Sequence, residues 1–176
     1  SDTEVLLQLY MKMGKACLNE LNGFFSFALY DSVKEEVFLA RDRFGIKPML
    51  IYTDENMILF GSEMKALLQF PVTKEIDFST LGLYLQLNYV PGNHCMLKNF
   101  SKLPPAHCAT INATGQLSVE RYYSMPFNPG HVISAAGMSY DAAKQQLRTL
   151  VEAAVERRLV SDVPLGAFLS GGIDSS

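Results

Sequence analysis

Phe24-Phe25-Ser26-Phe27-Ala28-Leu29-Tyr30 is an aromatic-rich run bounded by Gly23 on one side and the polar pair Asp31-Ser32 on the other. That pattern predicts a buried strand. Glu36-Val37-Phe38-Leu39-Ala40-Arg41, Pro48-Met49-Leu50-Ile51-Tyr52 and Ile58-Leu59-Phe60-Gly61 follow at short intervals, with turn residues at Asp54-Glu55-Asn56. Together they predict an antiparallel meander of about four strands.

Upstream, Ser1 and Glu4 have the form of a capping box, and Val5, Leu6, Leu9, Tyr10 and Met13 follow at helical spacing until Gly14. A helix over residues 2–13 is expected, then a short helical turn around residues 18–21. Downstream, residues 63–68 and 79–89 read as helices, the second ending before Val90-Pro91-Gly92. A hairpin is expected from residues 108–111 to 117–119, turned by residues 112–115. Strands and helices are segregated, which makes the class α+β.

Between Met125 and Met138 the chain turns to Pro126, Pro129, Gly130 and small residues without periodicity, the composition of a linker. The expected organisation is therefore a domain over residues 1–124, a linker over 125–138 and the start of a second domain over 139–176. In that second part Ala143, Leu147, Leu150, Val151, Ala154, Val155 and Leu159 share one helical face. The helix leads into Leu165-Gly166-Ala167-Phe168-Leu169, read as a short apolar strand.

Composition narrows the function. Hydrophobic residues make up 48% of the 176, enough apolar surface for a core and too much for a disordered chain. A net charge of -3 opposes nucleic-acid binding, which needs clustered Lys and Arg. No apolar run approaches the roughly 20 residues a bilayer requires, so no membrane span is expected. The acidic start Ser1-Asp2-Thr3-Glu4 has no secretory pattern. Cys17, Cys95 and Cys108 are an odd, widely spaced set that suits neither a disulfide framework nor a zinc cage, and reads as reduced thiols in a cytoplasmic protein. The chain opens without Met and stops behind a Gly-rich turn, so continuation is expected at both ends.

The chemistry concentrates in Ser170-Gly171-Gly172-Ile173-Asp174-Ser175-Ser176. Two glycines let backbone N–H groups approach a phosphate, and the serine hydroxyls add donors where a following helix would point its positive end. The spacing is not that of the Walker loop, whose Lys is absent. S-G-G-x-D-S resembles the PP-loop signature of the ATP pyrophosphatases, in which the loop holds the pyrophosphate leaving ATP when a carbonyl oxygen is adenylated. That motif is shared by GMP synthetases, NAD synthetases and tRNA-modifying enzymes.

Other segments narrow the resemblance. Residues 22–31 (NGFFSFALYD), 40–48 (ARDRFGIKP) and 61–67 (GSEMKAL) are similar, in this order, to the second half of the class II glutamine amidotransferase domain of the glutamine-hydrolysing asparagine synthetase family. Asn88-Tyr89-Val90-Pro91, Lys102-Leu103-Pro104-Pro105-Ala106-His107 and Ser161-Asp162-Val163-Pro164-Leu165-Gly166 continue the likeness, with Ala106 where that family usually carries Gly.

The resemblance implies part of an N-terminal-nucleophile-hydrolase-type sandwich followed by the start of an α/β PP-loop synthetase domain. It also implies a two-site ligase. One domain hydrolyses glutamine with an N-terminal Cys, and the other uses ATP and Mg²⁺ to convert aspartate to β-aspartyl-AMP, which ammonia attacks. A homodimer is an assembly the resemblance admits. By resemblance Asp2, inside Ser1–Val5 (S-D-x-E-V), binds the α-amino group of glutamine; a plain complement to the helix dipole is the other reading. Leu169 through its backbone, with Ser170, Gly171, Gly172, Asp174, Ser175 and Ser176, would line the ATP site. Ser1 is read as a helix cap, so no catalytic nucleophile is assigned. Arg41, Asp42, Arg43 and Lys47 are read as a solvated or locally paired cluster, and His94, His107 and His131 lack metal-ligand spacing. Two further functions stay open: a relative that adenylates another carboxylate, as β-lactam synthetases and peptide cyclases do, and a non-catalytic interface module.

Overall fold

The computed structural model describes residues 1–125 and 138–173. The chain divides into two compact units, residues 1–125 and 126–176.

The first unit opens with helix α1 (Asp2–Met13), capped by Ser1, whose hydroxyl accepts the Glu4 amide at 3.4 Å. Gly14, at φ 58°, ends it with its N–H on the Tyr10 carbonyl. A 3₁₀ turn (Gly14–Asn19) follows, earlier in the chain than the expected turn at residues 18–21. Strands β1 (Ser26–Asp31) and β2 (Glu36–Arg41) form an antiparallel hairpin. Strands β3 (Leu50–Thr53) and β4 (Ile58–Gly61) form a second.

The two hairpins do not join into the expected meander. Strand β2 pairs instead with β6 (His107–Ile111), and β3 with β5 (Phe100–Lys102), a strand the sequence pattern had not suggested. With β7 (Leu117–Arg121) the result is two sheets, ordered β1-β2-β6-β7 and β4-β3-β5. The β6–β7 hairpin is the expected one. Its turn is held by Asn112 Oδ1, which accepts the amides of Thr114 at 3.1 Å and Gln116 at 2.9 Å, with Gly115 at φ 76°.

Strand alternation explains the layering. Phe38 and Ala40 of β2, with Cys108 of β6, face Tyr10, Cys17 and Leu18 of the helical layer. The intervening Leu39 and Ala109 face Ile51 of the second sheet together with Met49 and Leu103, which adjoin its strands β3 and β5. That sheet's other side turns Tyr52 and Phe100 onto Leu67 of helix α2 (Met64–Leu67), Val72 and Cys95. Leu18, Phe38, Leu39 and Leu103 are each at most 1% exposed, and full burial of such a side chain is worth roughly 1.5–3 kcal/mol.

Strand β1 departs from the buried strand expected. It is an edge of its sheet, so Phe25, Phe27 and Leu29 pack on the first core while Phe24 and Tyr30 stay exposed. Helix α3 (Phe78–Leu87) starts at Asp77, whose carboxylate accepts the Thr80 amide at 3.0 Å, and stops at Asn88 in the left-handed region. Ala106 also adopts φ 62°, so the turn forms without glycine. Its N–H bonds the Asp42 carbonyl and its own carbonyl accepts Tyr122 N–H, each at 3.0 Å, which over-determines the strained backbone.

In the second unit, helix α4 (Tyr140–Glu156) is capped by the Ser139 hydroxyl on Ala142 N–H at 3.2 Å. Residues 165–169 do not form the expected strand: a strand needs a ladder partner, and none stands beside them among the described residues. Most of the expected linker, residues 126–137, lies outside the described residues.

Candidate functional site: a cleft at the start of the first helix

In the first unit, a cleft of about 480 Å³ is bordered by Asp2, Thr3 and Leu6 of α1, the segment 21–27, Lys47, Pro48 and Ser62. Asp2 occupies the first turn of α1, where the unpaired amides of the helix end favour a negative charge. Its Oδ1 accepts the Thr3 amide at 2.8 Å, which orients the carboxylate at the rim. Ser1 acts as the cap, and its α-amine lies 3.6 Å from a Glu4 carboxylate oxygen.

Lys47 and Pro48, which also line the cleft, end a corner made by residues 41–48. Asp42, set aside above as one charge in a solvated or paired cluster, is 1% exposed. Its carboxylate accepts three backbone amides, Phe44 at 3.1 Å, Ile46 at 3.0 Å and Lys47 at 2.9 Å. Arg41 supplies the complementary clamp, donating to the carbonyls of Lys47 at 2.8 Å, Leu103 at 2.7 Å and Gly45 at 2.7 Å. Burial pulls this guanidinium below its ordinary pKa, opposed by the charge of Asp42. Gly45 is required here: it sits at φ 67°, and a Cβ would lie 2.8 Å from Pro105 Cγ. The cluster thus turns the chain from one sheet to the other and presents Lys47 and Pro48 to the cleft. Sequence reading missed this role, although an Asp followed by a Gly and then a Lys-Pro pair is a turn signal.

The remaining expected site residues lie in the second unit. Leu169, Ser170, Gly171 and Gly172 are exposed, and a Cβ on Gly171 would meet nothing within 4 Å. Asp174, Ser175 and Ser176 lie outside the described residues. Among the described residues no group of His, Cys, Asp and Glu is placed to hold a metal, and no helix is long and apolar enough to cross a membrane.

The three cysteines are free and buried. Burial pushes the Cys108 thiol up to about 12, reinforced by the charge of Glu120 and a 3.6 Å contact to its carboxylate.

Residues 1–123 match the family model described as glutamine amidotransferase domain, and the chain belongs to that family. Residues 146–176 match the model described as asparagine synthase. Over 179 residues the chain is 39% identical to asparagine synthetase (glutamine-hydrolyzing) 3 of Bacillus subtilis, covering 100% of this chain and 28% of that protein. Over 181 residues it is 36% identical to a putative asparagine synthetase (glutamine-hydrolyzing) 2 of Methanocaldococcus jannaschii, covering 100% and 34%. The chain therefore spans about a third or less of the length of these relatives. A solved structure titled as the allosteric regulatory enzyme of purine biosynthesis matches 71% of this chain and 23% of its own, with a TM-score of 0.48 and 22% identity.

Proposed function

We propose that this chain belongs to a cytoplasmic glutamine-dependent ligase that makes asparagine from aspartate. The observation that carries the reading is one chain holding both the Asp2 cleft in a glutamine amidotransferase domain and an S-G-G-x-D-S segment within the asparagine synthase match. Glutamine and water give glutamate and ammonia at the first site. At the second, aspartate and ATP give β-aspartyl-AMP and pyrophosphate, and ammonia then displaces AMP to leave asparagine. Activation is needed because a carboxylate oxygen is a poor leaving group until it departs as AMP.

Asp2 pairs with the α-ammonium group of glutamine. The Ser170 hydroxyl and the backbone N–H groups of residues 170–172 are neutral donors, a set that fits the phosphates of ATP. Asp174, Ser175 and Ser176 complete this ATP site, with Leu169 contributing backbone. ATP is used with Mg²⁺, whose charge offsets that of the leaving pyrophosphate. The three free thiols fit a reducing compartment.

The test is the full-length protein supplied with glutamine, aspartate and Mg-ATP. Asparagine, glutamate, AMP and pyrophosphate should appear in equal amounts, and Asp2→Asn should lower glutamine-driven relative to ammonium-driven synthesis. If neither nitrogen source yields asparagine while another carboxylic acid consumes ATP to AMP, the chain belongs with the synthetases that adenylate a different acceptor.

A further inference from the structure

We propose that Asn22-Gly23 is a site of spontaneous deamidation, and that its conversion to aspartate and isoaspartate disables the cleft at the start of the first helix. The covalent step is independent of what the cleft binds, whereas its effect on activity rests on the reading of that cleft as a glutamine site.

Asn22-Gly23 is the one Asn-Gly pair among the 176 residues. In the reaction the backbone nitrogen of Gly23 attacks the carboxamide carbon of Asn22. The bond from Gly23 N to Asn22 Cγ forms, the bond from Cγ to the side-chain nitrogen breaks, and ammonia leaves behind a cyclic succinimide. Water then opens the ring. Breaking the bond from Cγ to nitrogen gives aspartate, and breaking the bond from the backbone carbonyl carbon to nitrogen gives isoaspartate. Glycine permits the attack because no Cβ shields its nitrogen and its φ is free to vary. Every other asparagine in the sequence precedes a residue that carries a Cβ.

The fold leaves this pair accessible. It lies between the 3₁₀ turn and β1, in neither helix nor strand, and Asn22 is exposed. A Cβ at Gly23 would meet nothing within 4 Å, and the Gly23 N–H donates to no protein acceptor among the described residues. Asn112 is the contrast: its Oδ1 accepts the amides of Thr114 and Gln116 and the Thr114 hydroxyl, the last at 2.7 Å.

Conversion alters the cleft in two ways. Asn22, Gly23, Phe25 and Phe27 line it, and the two phenylalanines also pack on the first core. Isoaspartate lengthens the backbone by one carbon in a tethered segment. Glu20 N–H is held by the Cys17 carbonyl at 3.1 Å before it, and the Phe25 carbonyl accepts Asp42 N–H at 2.9 Å after it. A close-packed wall cannot absorb the added atom without displacing its side chains. Either product also brings a new negative charge to a cleft that already holds Asp2, between apolar residues that screen like charges poorly.

The experiment incubates the full-length protein, wild type and Gly23→Ala, in mildly acidic and mildly alkaline buffer. Samples are taken for peptide mass mapping and for asparagine synthesis driven by glutamine or by ammonium, each protein being referred to its own activity before incubation. In the wild type, residue 22 should gain the mass difference between an amide and an acid, with isoaspartate the major product. The rate should rise about tenfold per pH unit, because the attacking nitrogen must lose its proton. Glutamine-driven synthesis should fall in proportion to the converted fraction while ammonium-driven synthesis is kept, and Gly23→Ala should slow both the mass change and the loss. If residue 22 keeps its amide in the alkaline samples, the site is wrong. If it converts while glutamine-driven synthesis holds, or both syntheses fall equally, its effect on the cleft is wrong and the glutamine site stands. A wild type that releases no glutamate before incubation removes the glutamine reading and the effect on activity together, and the mass change alone decides the covalent step.

Discussion

The carboxylate of Asp42 accepts the backbone amide of Lys47 at 2.9 Å, from a position where the acid itself is 1% exposed. The bond joins a buried acid just past the end of β2 to an exposed lysine that lines the cleft, and makes the site's shape depend on the interior.

Replacing Asp42 tests that dependence. Asp42→Ala leaves the amides of Phe44, Ile46 and Lys47 without their acceptor, and should destabilise the chain by on the order of 3 kcal/mol. Asp42→Asn, which keeps one acceptor oxygen, should lose less. Urea denaturation of residues 1–176 followed by circular dichroism measures both, and an unchanged midpoint for Asp42→Ala would show that the corner is held by other contacts.

Two glycines should respond in opposite directions. Gly45→Ala places a methyl 2.8 Å from Pro105 Cγ and 3.0 Å from Arg41 Cζ at a φ of 67°, and should cost roughly 2–4 kcal/mol. Gly82→Ala lies within α3 with nothing within 4 Å of the new methyl, and should stabilise by up to about 1 kcal/mol. Thermal melting of the two variants beside the parent chain gives the signs directly.

Stability should decline in alkali. The Cys108 thiol, held up to about 12 chiefly by burial, keeps its proton in the folded chain while an ordinary thiol ionises near 9.0. Between those values the folded state binds more protons than the unfolded state, so stability is fully present below about pH 9 and is lost as pH rises toward about 12. Tyr122 adds to the loss above about pH 10, because burial lifts its phenol to about 12 in the same sense. Urea midpoints from pH 8 upward should fall, and Cys108→Ala should fall less steeply. A Cys108→Ala slope equal to that of the parent would remove the thiol from this account.

Residues 1–176 should bind Mg-ATP weakly. Phe168, Leu169 and Ile173 around the Gly-rich turn are more than three-quarters exposed, so among the described residues these apolar side chains do not pack to hold the phosphate donors convergent. Titration calorimetry should give no saturable signal at low micromolar ATP; tight binding would mean that the segment is organised without such packing.

The sequence by itself determined the elements that depend on neighbours a few residues apart. The Ser1 cap of α1 and the Asn112 turn of the β6–β7 hairpin each close a hydrogen bond within four residues. Such contacts are local, and their residue types announce them. The place of Asp2 in the first turn of a capped helix was legible for the same reason, whereas its reading as a substrate contact came from the resemblance. The tertiary structure alone decided that β2 leaves its hairpin neighbours for β6, that β3 pairs with β5, and that Asp42 is buried rather than solvated. It alone brought Lys47 to the cleft that holds Asp2, 45 positions earlier in the chain. Pairings of that span are chosen by which faces can be buried together after the chain has turned. Residues 165–169 show the converse: apolar composition permits a strand, but only a neighbouring strand supplies the hydrogen bonds that make one.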